Sequence, residues 1–409
     1  MMTLTLAWRN LWRNRRRTLI TLIAMSFSLM LVQGFHNLSF GVYAQMIDNG
    51  VRAGSGHISI YRGDYAVSRD DRLTFVPADL PQKIAALPGV DGVVERLYLP
   101  ALAQSSRESR GILLTGIDPT AEGLVNPLLR RLDLPALLPS ADGRDALIGS
   151  RLLQELRLEI GQKFVVTAQG ADGELASELL FVRGTVESGI RNIDRSLVMV
   201  GRQRAALLAG RPDAVHEIAI MLNRPDESGA VLQRVRALLP PGDLQAIPWD
   251  AAMPNLANAI KLDYASQKFI FLVIVAIVSI GVVNTLLMAV MERLPEFGLL
   301  LALGASPWRL RAMVLCEALL LGLIAMLLGS ALGSLLTWYL TDVGIDLRRF
   351  LPESMEFGGV IFDPVLRATW DFEYMLRMAI LMPLLAALAA FYPANRAART
   401  APAVAMRNS

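Results

Sequence analysis

Hydrophobic and polar positions alternate along this chain on two scales. Four stretches stay apolar for a membrane's width: residues 18–47 hold no Asp, Glu, Lys or Arg over 30 positions, 269–291 over 23, 318–341 over 24 and 378–395 over 18. A helix needs about 20 residues to cross a hydrocarbon core about 30 Å thick, so all four read as transmembrane helices. The fourth reaches that length over Tyr374–Tyr392 if Arg377 snorkels. Trp8 and Trp12 precede the first span, Trp338 and Tyr339 end the third, and Trp370 and Tyr374 open the fourth, the positions of an interfacial aromatic belt.

Between the first two spans the pattern shortens to that of a folded domain. "HISIY", "FVVTA", "LLFVRGTV" and "EIAIML" read as strands; "DLPQKIAALPGV", "SRLLQELRL" and "SGAVLQRVRALL" carry apolar residues three and four apart and read as helices, the last with Ser228 as N-cap. The predicted fold class is therefore an α-helical membrane protein with four transmembrane helices and a large α+β extracytoplasmic domain inserted between the first and second. At about 200 residues the domain can hold one or two cores. The boundaries fall at 1–17 (basic segment), 18–44 (first helix, extending into a stalk), 45–268 (α+β domain and stalk), 269–291 (second helix), 292–311 (loop), 312–341 (third helix), 342–373 (outer loop), 374–392 (fourth helix) and 393–409 (tail). Met253, Ala257, Ile260, Tyr264 and Gln267 form a coiled-coil-like seam ahead of the second span. It fits either a stalk helix joined to the first span or a surface helix packed on its own domain.

Charge sets the orientation. Arg9, Arg13, Arg15, Arg16 and Arg17 lie just before the first span and fix the N-terminus in the cytoplasm. Both termini then lie inside, with Arg396, Arg399 and Arg407 in the tail, although Arg348, Arg349 and Arg367 in the outer loop dilute the bias. A cleaved signal peptide ending near "VYA" is disfavoured, because a signal's apolar core runs roughly 7–15 residues. Of 409 residues, 53% are hydrophobic and 19% charged, and mean hydropathy is +0.41, too apolar for an ordinary soluble protein. The net charge of +3, concentrated at one end, points to membrane orientation and away from nucleic acid. One cysteine, Cys316, excludes an internal disulfide and a cysteine zinc site.

Catalytic motifs are wanting. No phosphate loop of the Gly-x-x-x-x-Gly-Lys kind occurs, no His-Glu-x-x-His, and "VESGI" is no nucleophile elbow. His36, His57 and His216 are scattered, and "GSGHISIY" reads as the start of a strand. Within the spans, Glu317 lies about one turn inside the third, near enough to its end to reach headgroups, and reads as structural or functional. Gly329 and Gly333 permit close helix contact, within the chain or with another subunit, and Asn284 can hydrogen-bond across helices.

The loop "MERLPEFGLLLALGASPWRL" is more elaborate than a connector needs. Pro295 suits the start of a helix, Glu292 and Glu296 complement its N-terminus, Gly304 stops it, and Ser306 with Pro307 starts the next. A short surface helix is expected, apolar toward the membrane and acidic toward water.

"NTLLMAVMERLPEFGLLLALGASPWRL" resembles the signature of ABC transporter permeases of the FtsX/MacB/LolC-LolE type, as do "AWRNLWRNRRRTLIT", "YPANRAARTAPAVAMR" and, in the outer domain, "ALIGSRLLQELRLEIGQKFVV". Leu294-Pro295 and Phe297 depart mildly from it. The resemblance implies an inner-membrane subunit with its large domain in the periplasm, working with a second permease copy or a paralogue. It also implies a separate ABC ATPase subunit that binds ATP and Mg, none being bound by this chain. Glu292, Arg293, Glu296, Phe297, Gly298 and Gly304 would form a coupling helix on that ATPase, and movement would pass through the spans to the outer domain. Only 17 residues precede the first span, which is expected to leave no fused ATPase and favours lipoprotein release, with lipoproteins and possibly a periplasmic chaperone as partners. Efflux of drugs or toxins, as for MacB, and signalling to cell-wall hydrolases, as for FtsX, are the alternatives; an enzyme ranks last.

Overall fold

Apolar runs of this length can satisfy their backbone only as helices, and helices they are. The computed structural model describes residues 2–130, 132–188, 191–347, 356–357, 360–361 and 365–399. Arg348, Arg349, Arg407 and the last two residues of "VESGI" lie outside them. The chain divides into two units: Met1–Tyr43, Leu262–Leu347 and Val365–Ser409 in one, Ala44–Lys261 and Arg348–Pro364 in the other.

The first unit is helical. Its elements are α1 (Met2–Leu11), α2 (Arg15–Ala53), α3 (Pro254–Glu292), α4 (Leu294–Ala302), α5 (Pro307–Asp342), α6 (Phe372–Ala389) and α7 (Phe391–Ala398). α2, α3, α5 and the pair α6–α7 are long and apolar enough to cross a membrane. At 39 residues each, α2 and α3 are about 58 Å long, well beyond a hydrocarbon core. The basic N-terminal segment is itself helical: α1 buries Ala7 and Leu11, and the turn into α2 is closed by the Thr18 hydroxyl donating to the Leu11 carbonyl at 2.6 Å. At the other end, α7 carries helix to Ala398, into the expected tail.

Leu22, Met25 and Leu29 of α2, Val282 and Leu286 of α3, Ala318, Leu321 and Ala325 of α5, and Met382 and Ala386 of α6 make the helical core. The glycine pair of α5 serves contact within the chain. A Cβ on Gly329 would stand 2.9 Å from the Ser26 carbonyl and the Leu29 Cβ, and Gly333 faces Gln33, also on α2. Buried polar side chains pair across helices here: Asn37 donates to Thr337 at 3.0 Å and Gln33 to the Met375 carbonyl at 3.0 Å. The seam ahead of the second span packs on α2. Tyr264 meets Tyr43 edge-on at 5.2 Å, and Gln267 donates to Asp263, which accepts from the Tyr43 hydroxyl. Nearer the sheet, Met253 lies beside Gly54.

The second unit is a nine-stranded sheet with short helices. β1 (Ile58–Arg62), β2 (Val90–Gln104), β3 (Ser109–Ile117), β4 (Asp145–Gly149), β5 (Lys163–Gln169), β6 (Leu175–Val186), β7 (Leu197–Gly201), β8 (Glu217–Leu222) and β9 (Leu244–Pro248) include all four strands expected from the sequence. They run in the order β3-β7-β4-β6-β5-β2-β8-β1-β9, and β3 also pairs with β2. Six strands thus close on themselves. The long β2 makes this possible: Leu97–Gln104 pairs with β3, Ala101–Gln104 with β5 on its opposite edge, and its first half with β8.

Two cores follow from the two parts. Inside the closed strands lie Leu97, Leu114, Ile148, Phe164, Val182 and Val200, capped by Leu152 of the helix Ser150–Glu155. Under the open β8-β1-β9 end, Ile58, Ile60, Ile218 and Ile220 pack on Ile84 and Val231 of the helices Leu80–Ala85 and Ser228–Leu238. Ser228 is the first residue of its helix and not its cap; Glu227 holds that place, and no side chain caps it.

Candidate functional site

The turn between α3 and α4 gathers three charged residues, Glu292, Arg293 and Glu296, within five positions. α4 begins at Leu294 with Pro295 in its second position, and ends where Gly304 adopts φ +90°, a left-handed conformation that favours glycine. Ser306 stands at the N-cap of α5 with extended backbone, but its hydroxyl makes no cap hydrogen bond. Pro307 follows as the first helical residue.

Behind α4 sits a buried ionic cluster. Arg293, 9% exposed, donates to Glu317 at 2.8 Å, and the Asn10 amide donates to the same oxygen at 2.8 Å. The Arg293 guanidinium also reaches Glu296 at 3.4 Å and lies 4.9 Å over the Phe297 ring. Phe297 is fully buried among Val290, Leu310, Met313, Val314, Ala394 and Ala397. Glu317, read from the sequence as structural or functional and near enough to the helix end to reach headgroups, makes its contacts inside the protein: a carboxylate in an apolar helix is tolerated because a cation and an amide meet it there.

In front, the acidic residues are held by the chain's own N-terminus. Arg13 donates to Glu296 at 2.5 Å, while Asn14 and Arg17 donate to Glu292 at 2.9 and 3.0 Å. The Arg13 hydrogen bond holds the Glu296 carboxyl below the ordinary glutamate range. Glu292 and Glu296 stay half exposed. Arg293, Phe297 and Gly298 are buried, so their part is to position α4 and not to form its outer surface.

Beside the half-exposed Glu292 and Glu296, the loop helix and the turn after it leave Leu299, Leu300 and Leu303 open, with Trp308 just beyond Gly304. The sequence reading missed both these residues and the N-terminal partners. Asn10, Arg13, Asn14 and Arg17 recur at spacings of three, one and three, which was the available signal of a shared face, but five arginines there read first as orientation charges. Asn284 is exposed on α3 and makes no hydrogen bond among the described residues.

The sheet unit holds the acid–base cluster that an enzyme reading would need. Glu217 accepts from the hydroxyls of Tyr61 and Tyr98, Arg96 pairs with Glu122 at 2.6 Å, and the His216 ring accepts from the Tyr98 N–H at 3.1 Å. Arg96, Glu122, His216 and Glu217 are at most 3% exposed, and burial pushes the His216 pKa down, keeping the ring neutral. Sealed and mutually bonded, these groups brace β2 against β8.

Among the described residues the chain carries four helices long and apolar enough to cross a membrane, a sheet-rich unit and a braced loop helix. Residues 268–402 match the FtsX-like permease C-terminal family, so this part of the chain is an FtsX-like permease domain. The chain is similar to the lipoprotein-releasing system transmembrane protein LolC of Neisseria meningitidis serogroup B, 26% identical over 316 residues and covering 75% of each chain. It is also similar to the macrolide export ATP-binding/permease protein MacB of Nitrosomonas europaea, 23% identical over 361 residues, covering 82% of this chain and 52% of that one. Among solved structures, the periplasmic region of MacB from Actinobacillus actinomycetemcomitans matches with TM-score 0.34 and 12% identity, over 52% of this chain and 98% of that chain.

Proposed function

We propose that this chain is the permease subunit of an ABC transporter that releases lipoproteins from the inner membrane. In this reading α4 is the helix that docks on a separate ATPase subunit, and the sheet unit stands in the periplasm. The observation that carries it is the bracing of α4. A helix pushed by a partner must pass force on without yielding, and Arg293, Glu317 and Asn10 tie the start of α4 to α5 and α1, Arg13 in the turn before α2 holds Glu296 of α4, and Arg17 of α2 holds Glu292 at the end of α3. Leu299, Leu300 and Leu303 then form the contact surface. The continuous helices α2 and α3 supply the route by which movement reaches the sheet unit.

The LolC relative supports the lipoprotein assignment because three quarters of each chain align, whereas the MacB relative aligns over about half its length. Reconstitution with the cognate ATPase tests both parts. Leu299→Glu with Leu303→Glu should abolish permease-stimulated ATP hydrolysis while insertion is unchanged; undiminished stimulation refutes the docking role. ATP-dependent release of a lipoprotein from the vesicles supports the substrate class, and stimulation by macrolides without release replaces it with efflux.

A further inference from the structure

His57 stands where α2 gives way to the sheet. α2 ends at Ala53, Gly56 turns the chain at φ +75°, and His57 follows, one residue before β1. Its backbone is fixed on both sides: the N–H donates to the Ile220 carbonyl at 2.9 Å, and the carbonyl accepts from Trp249 at 3.1 Å. The ring is buried, 1% exposed, and its Nδ1 accepts from the Leu222 N–H at the end of β8, at 3.2 Å. An accepting Nδ1 carries no proton, so the neutral ring holds its one N–H at Nε2. That nitrogen is buried and has no hydrogen-bond partner. The Asp48 carboxylate lies 3.9 Å from it, too far for a hydrogen bond.

Asp48 is itself held. Arg52, one turn further along α2, bonds it at 2.9 Å and reaches Asp91 of β2 at 2.9 Å. Asp48 and Arg52 on α2 and Asp91 on β2 are the charged groups that face the ring, while β8 meets it with a backbone amide. Burial, set against the pull of Asp48, holds the His57 pKa below the ordinary histidine value. The contact with Leu222 is therefore fully stable above about pH 6.5 and weakens as pH falls from there toward the lowered value. A proton on Nδ1 sets two N–H groups against each other, the ring's and that of Leu222. It also gives Nε2–H a charge that the Asp48 carboxylate can take. Because the His57 backbone is fixed, the ring can turn from strand to helix without β1 coming apart.

We propose that His57 is an acid-sensitive catch between α2 and the sheet: neutral, its ring holds the end of β8; protonated, it releases the Leu222 amide and pairs with Asp48. The catch does not depend on the permease reading, which adds only that it stands in the periplasm. Hydrogen exchange of the full-length chain in nanodiscs tests it, each rate corrected for its intrinsic value and Ile148 of β4 serving as the reference. In the wild type, opening at Leu222 should rise about threefold to tenfold between about pH 7.5 and 5.5, while Ile148 stays level. His57→Asn keeps an acceptor in the place of Nδ1 and takes up no proton, so the rise should vanish. Asp48→Asn removes the carboxylate that receives the turned ring and should cut the rise to less than about half.

No rise at Leu222 in the wild type overturns the inference, and so does an equal rise in His57→Asn. A full rise in Asp48→Asn shows that the ring leaves for water, which refutes its capture by the helix. None of these measurements involves the ATPase, so a failed catch and a failed permease reading are told apart.

Discussion

Truncating Glu317 to alanine strikes the bracing of α4 at its centre. Arg293 and Glu317 have side chains 11% and 7% exposed and meet at 2.8 Å. Removing one partner of a buried pair costs about 3–5 kcal/mol, because the other charge is stranded. Here Arg293 keeps Glu296 at 3.4 Å, a half-exposed contact worth at most about 1 kcal/mol, which offsets part of the loss. Asn10 loses its acceptor as well, at about 1 kcal/mol. The expected destabilisation of the α4 seat is therefore about 3–5 kcal/mol, a rise of about 160- to 5,000-fold in local opening. Hydrogen exchange of α4 amides in nanodiscs reads this directly, with amides in the middle of α5 as the internal reference. Glu317→Gln keeps an acceptor and should cost less, and Arg293→Met with Glu317→Leu should return close to wild type, since a buried pair and a well-packed apolar pair are often of similar stability. If α4 in Glu317→Ala exchanges within about threefold of wild type, the cluster does not hold the helix, and the force-bearing argument falls with it.

The remaining expectations are independent of that one. Glu296 has its pKa lowered by Arg13, so the stability this contact adds is present above the ordinary glutamate value and is lost as pH falls through the lowered one. Carboxyl NMR with Glu-selective labelling should show a titration midpoint for Glu296 below about 4.3 that rises toward it in Arg13→Ala; an unmoved midpoint contradicts the contact. Gly329→Ala should destabilise the helical unit by about 1–3 kcal/mol in thermal unfolding, because its Cβ meets backbone at 2.9 Å, while Gly281→Ala, with open space around it, should change the monomer little. Arg96→Met should cost the sheet unit about 3–5 kcal/mol by stranding Glu122 and Glu217, measured as a lower denaturant midpoint for the full chain.

Where the sequence pattern is long or periodic, it determines the structure by itself. Thirty uncharged residues from Thr18 can only be helix in an apolar solvent, Gly304 and Pro307 mark the end of one helix and the start of the next, and four strand segments in the sheet unit are legible from their β-branched residues. Partners between distant residues are a different matter. Nothing local says that Asn10 reaches Glu317, that Arg13 reaches Glu296, or that Gly329 lies on Ser26, because these pairs are separated by about 280 to 310 positions and meet only through packing. The same limit applies to β2, whose fifteen residues read as a strand but whose shared pairing closes six strands into a ring. In the loop helix, the glutamates near its N-terminus read as exposed and are half exposed, but that they also meet the chain's own Arg13 and Arg17 is decided only by the fold. Periodicity fixes what each segment is; which face meets which neighbour is settled by the compensation of buried charge and volume across the whole fold.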